Sequence, residues 1–181
     1  RMNRKTVFWF SFFTGPLILL SYIRGVNAVN DPLDYWGGVS SSMQQFIVPW
    51  MFVAAVGYLL MWYQFFFGWS EDEVATLQWP GREPDGKGTQ RLLLLYAAFL
   101  IPSMLWIDAT RMHLEGPSLL LTVVTIGLLV TAGIASVGFG VLAWSSRETL
   151  PHANRVVIGS VMLSIQCTFW DGIYWVLMFP W

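Results

Sequence analysis

Three ionisable residues stand where an apolar chain does not place charge without a partner or a use: Asp108, Arg111 and Asp171. Asp171 falls in the run Phe169-Trp170-Asp171-Gly172-Ile173-Tyr174-Trp175, inside an apolar stretch from Val156 to Phe179. A carboxylate at such a depth costs roughly 3 kcal/mol on membrane-insertion scales, so it is expected to be paired, neutralised or functional. Arg111 follows Asp108 by three residues and precedes Glu115 by four, which puts all three on one face of a helix. Its planar five-donor fork can reach Asp108, Glu115 or, across a bundle, Asp171. Two aspartates against one guanidinium leave a surplus acid that can exchange a proton, hold a cation or donate to a substrate.

Depth brings the two aspartates together. Asp108 lies 17 residues beyond Arg91, and Asp171 lies 16 beyond Arg155. If both arginines mark one interface, a helical rise of 1.5 Å per residue sets both acids about 24 Å above it, in one layer. Ser160, Ser164, Thr168, Asp171 and Trp175 recur at spacings of four, four, three and four, a polar stripe that is expected to face protein or water rather than lipid. Within that layer Ser164, Thr168 and Tyr174 are the expected hydrogen-bonding groups, and Trp106 and Trp170 the expected aromatic walls. The competing reading of the layer is a structural ion-pair network that docks two helices.

The elements that must position these residues are five apolar runs, at about 7–23, 46–69, 92–115, 118–144 and 156–179. Each is long enough to cross a hydrocarbon core of ~30 Å as a helix. The third run reads past Asp108 to Glu115, where Gly116-Pro117 stops it and Ser118 caps the next, so that the third and fourth runs form a tight hairpin. The fold expected is one all-α bundle of five transmembrane helices in a single domain. Ala132, Ser136 and Gly140 form a small-residue ridge suited to close helix packing. The segment from Ser70 to Gln90 carries turn chemistry without periodicity, and is expected to be a mobile loop.

Basic residues set the orientation. Arg1, Arg4, Lys5, Arg82, Lys87, Arg91, Arg147 and Arg155 fall at one end of the predicted spans, and only Arg24 and Arg111 at the other. Eight against two predicts an N-terminus inside and a C-terminus outside, with the acidic layer toward the outer face. Most of the 11 tryptophans then fall near the two interfaces, as an aromatic belt.

Composition agrees: 55% of residues are hydrophobic, 12% are charged and mean hydropathy is +0.54, values outside those of soluble domains. A formal charge of -1 with no basic stripe excludes nucleic acid as an expected partner. The two lysines, Lys5 and Lys87, both lie outside the spans, which excludes a retinal Schiff base. His113 and His152 fall at opposite ends and cannot share a haem iron. His113 and Glu115 are the metal-ligand candidates, but their spacing supplies no third donor; an interfacial histidine is the simpler reading of His113, and ligation of a pigment magnesium an alternative. No Ser-His-Asp set, His-Glu-x-x-His helix or phosphate-binding glycine loop occurs, and no motif names a cofactor.

Three functions are compatible with these residues. The first is an outward-facing site between the third and fifth spans that binds or translocates a proton, a cation or a small ligand. The second is an accessory subunit of a larger respiratory or photosynthetic complex, or a homo-oligomer, with the polar layer locking helices. The third is an intramembrane enzyme on a lipid or isoprenoid, for which no nucleophile or base is evident.

Overall fold

A computed structural model describes residues 2–181; Arg1, counted above among the basic residues, lies outside the described residues. The described chain is helical without strands: α1 (Arg4–Asn27), α2 (Ser41–Gly68), α3 (Glu71–Ala75), α4 (Gly88–Glu115), α5 (Leu119–Ser145) and α6 (Ala153–Met178). All but the short α3 are long and apolar enough to cross a membrane. Their outward faces carry large apolar side chains such as Phe52, Leu120, Ile134 and Leu177, whose exposure suits a hydrocarbon solvent. A 3-10 turn, Pro32–Trp36, lies between α1 and α2. As the glycine-proline signal predicts, α4 runs to Glu115, and the Ser118 hydroxyl accepts from Leu121 N–H at 3.2 Å to start α5.

Neighbouring helices follow the order α1, α4, α5, α6, α2 around the bundle. Aromatic side chains close the ring at the basic end. Tyr96 of α4 is fully buried, its ring centroid 5.0 Å from Phe139 of α5 and 5.9 Å from Phe66 of α2. Phe8 of α1 meets Trp62 of α2 at 5.1 Å. A second apolar cluster, around Ile47, Leu129, Trp170, Trp175 and Phe179, fills the opposite end. Between α5 and α6 the small-residue ridge acts as read from sequence: Ser160 Oγ donates to Ser136 O at 2.6 Å, and a Cβ on Gly140 would lie 2.6 Å from Ser160 Oγ.

Residues 70–90 differ from expectation. Instead of a mobile loop, the segment is tied to the bundle. Ser70 and Glu73 form a reciprocal capping box that nucleates α3, and Val74 and Leu77 are fully buried. Beyond them Arg91 donates to both oxygens of Asp85 at 2.7 Å and to Leu77 O at 2.9 Å. The Arg91 guanidinium, aided by the Lys87 N–H, holds the Asp85 carboxyl down to about 2, so the clasp is ionised at neutral pH. Turn-rich composition concealed these anchors because none of them carries a hydrophobic period.

The last helix departs from α geometry. From Ile165 to Trp175, α6 is a π-helix, in which i→i+5 bonding places residues five apart over one another. A shorter π turn, Gln64–Gly68, ends α2.

Candidate functional site

The π segment decides what Asp171 touches. Under α spacing, Asp171 continues the line of Ser164 and Thr168. Under π spacing it stacks on Gln166, five residues earlier, whose Nε2 donates to Asp171 Oδ1 at 2.8 Å. The stripe therefore splits. Ser164 and Thr168 turn toward α5, where Ser164 Oγ lies 3.0 Å from Ser136 Oγ and Thr168 Oγ1 donates to Gly133 O at 3.1 Å. Neither hydroxyl joins the carboxylate, and the expected serine-threonine side of the site is replaced by Gln166.

The expected Asp108/Arg111/Asp171 network does not form. Asp108 pairs with Arg24 of α1, and Arg111 takes Glu115, one turn further along α4. Both cations are flexible side chains near the end of the bundle, free to choose the acid that tertiary packing brings closest. Among the described residues no Lys, Arg or His lies within ion-pairing distance of Asp171. Of the three acids in the long helices' far halves, Asp108, Glu115 and Asp171, only Asp171 lacks a guanidinium.

Its surroundings are aromatic and neutral. Tyr22 of α1 and Cys167 lie within electrostatic reach of the carboxylate, but neither is hydrogen-bonded to it. Trp106 Nε1 donates to the Tyr22 hydroxyl at 2.8 Å, which leaves the Tyr22 O–H free to donate onward. Trp175 packs edge-on to Trp106 at 5.4 Å, and Tyr174 edge-on to Trp170 at 5.5 Å. Phe46 of α2 meets Trp170 at 5.7 Å. Asp171, Tyr22, Trp106 and Tyr174 are all partly accessible, whereas Gln166 and Trp170 are buried.

Two polar atoms in this cluster have no partner: Gln166 Oε1 and Trp170 Nε1, both fully covered. Buried polar atoms are normally satisfied, so a cluster holding two orphans beside an unpaired carboxylate is polar out of proportion to what structure requires. Above it, Trp175 Nε1 donates to Tyr35 O at 2.8 Å and Tyr35 Oη donates to Gly25 O at 2.9 Å. Burial pushes the Tyr35 phenol up, keeping it a neutral donor that fastens the connection between α1 and α2 over the cluster.

The metal candidates separate. His113 is buried against the rings of Phe179 and Trp181, at 6.1 and 5.4 Å, while Glu115 is exposed and engaged by Arg111. No group of three His, Cys, Asp or Glu that could hold a metal occurs among the described residues. Of the aromatic residues read from sequence, Trp170 packs against Tyr174 and Trp106 against Trp175. Tyr22, Gln166 and Cys167 were missed, and Trp175 was read only as a member of the polar stripe. Tyr22 had a signal, since it lies 17 residues beyond Lys5, the same spacing as Asp108 beyond Arg91. Comparisons of the chain with protein-family models, curated proteins and solved structures returned no match.

Proposed function

We propose that this chain is a multi-pass membrane protein that binds a small cationic ligand, a proton or an apolar organic ammonium, at Asp171. The observation that carries this reading is the unpaired carboxylate: among the described residues in the far halves of the long helices, Asp108 and Glu115 each have an arginine, and Asp171 has a neutral amide. An uncompensated charge in a low-dielectric interior is costly, and a cation that enters with its own positive charge relieves that cost. The walls suit an ammonium carried on an apolar body. Trp106, Trp170, Tyr174 and Trp175 offer ring faces and edges, and a cation over such a face gains roughly 0.5–2 kcal/mol. Tyr22, electrostatically near Asp171 but not bonded to it, would supply a hydrogen bond to such a ligand.

The test varies the ligand's charge and holds its shape. Purified protein in detergent is titrated with a series of aryl-alkyl tertiary amines and with their neutral carbon isosteres, with thermal unfolding followed by tryptophan fluorescence. Amines at 100 times Kd are expected to stabilise the protein by about 2.7 kcal/mol, a shift of ~5–11 °C for a chain of this size. Isosteres that stabilise equally would reject the carboxylate as the recognition element.

A further inference from the structure

On the opposite flank of α6 from Asp171, a trough of about 900 Å³ runs along the seam between α5 and α6. A smaller void of about 320 Å³ shares Val137, Thr168 and Ile173 with it and continues it past Gly133 and Gly172. We propose that this trough binds one acyl chain of an anionic phospholipid, with the lipid phosphate held by Arg147.

The trough is apolar along its length although it follows the hydroxyl stripe of α6. Ser160, Ser164 and Thr168 are spent on Ser136 and Gly133, so the floor presents carbon to an occupant. The walls are Val137, Val141, Val161, Phe169 and Ile173, all open to the outside of the bundle. Lining residues on α6 extend from Val157 to Ile173, and 16 residues at no more than 1.5 Å each, less in the π segment, make a channel of up to about 24 Å, enough to cross one ~15 Å leaflet. That length takes an extended chain and excludes a compact solute as the natural occupant.

Charge selects the headgroup. The trough ends at the basic end of the bundle, between the Pro80-Gly81 turn and the pair Trp144 and Arg147. The Arg147 guanidinium stands 4.3 Å from the centre of the Trp144 ring, held at the mouth by that contact and by donation to Trp144 O at 3.0 Å. Its acidic neighbour, Glu148, is 4.0 Å away with a side chain 88% exposed, a contact that water screens. A guanidinium beside an interfacial tryptophan, at the open end of an acyl-length groove, matches a phosphodiester whose chain lies in the groove.

Native mass spectrometry of the purified full chain, with phosphatidylglycerol and phosphatidylcholine of identical acyl chains added back, tests this. The wild type is expected to retain one lipid with a preference for phosphatidylglycerol of about 10-fold. Arg147→Gln should bring that preference to near unity and Arg147→Lys should keep part of it. Val161→Trp, which fills the trough at an exposed position, should abolish retention of both lipids. Circular dichroism melting checks that each variant is folded. Unchanged preference in Arg147→Gln, or unchanged occupancy in folded Val161→Trp, overturns the proposal.

Discussion

Asp171→Asn is expected to weaken ammonium binding by about 30-fold or more and to leave the protein folded with no loss of stability. The side chains differ by one charge, and the asparagine Oδ1 can still accept from Gln166 Nε2, so the local geometry around the π segment is kept. Loss of one partner from a desolvated charge pair costs roughly 2–5 kcal/mol, which weakens the amine by about 30-fold or more. The effect on the ligand-free protein separates this account from a structural one. Removing one member of a buried ion pair strands the other charge and destabilises by roughly 3–5 kcal/mol. Asp171 has no such partner among the described residues, so its neutral analogue strands nothing. Thermal melting of both proteins with and without amine reads both quantities. A sharp fall in the melting temperature of ligand-free Asp171→Asn would assign the carboxylate to the scaffold.

Gly159→Leu is expected to have the largest effect on stability. A Cβ at Gly159 would stand 2.5 Å from Gly57 O and 2.6 Å from Met61 Cγ, and a Cβ at Gly57 would stand 2.6 Å from Gly159 O. The obstacle is the backbone of α2 meeting the backbone of α6, and backbone in a helix cannot turn aside as a side-chain tip does. Leucine must push the helices apart, and such overpacking costs about 3 kcal/mol, a fall of ~6–12 °C in melting temperature. Gly127→Ala on α5 is the control, because nothing lies within 4 Å of the position its Cβ would take. Gain of helix propensity there is worth up to about 1 kcal/mol, so that variant melts at or slightly above the wild type.

The fold was legible where one physical signal sufficed. Five long apolar runs, a Gly116-Pro117-Ser118 hairpin and a ridge at Ala132, Ser136 and Gly140 each follow from local composition, and each appears in the structure. The acids of α4 and α6 stood out in the sequence, but their partners did not. Spacing arguments assumed 3.6 residues per turn throughout, whereas Ile165–Trp175 is π-helical, and that change of phase moves Asp171 from Thr168 to Gln166. No property of the residues in that run announces it, although Gly172, whose Cβ would crowd Cys167 O at 3.1 Å, accommodates the tighter packing. Arginine partners were illegible for a different reason. Arg24 and Arg111 can each reach several acids, and which they take depends on how α1 docks on α4, a tertiary choice that depth counting does not contain.

The most direct measurement is an infrared difference spectrum of the protein carrying carbon-13 in its aspartate carboxyls, recorded with and without a bound tertiary amine at constant pH. The account predicts a change in an aspartate carboxyl band when the amine binds to the wild type, and the absence of that change in Asp171→Asn. The same difference band in both proteins would contradict it, by showing that the amine is held by an aspartate other than Asp171.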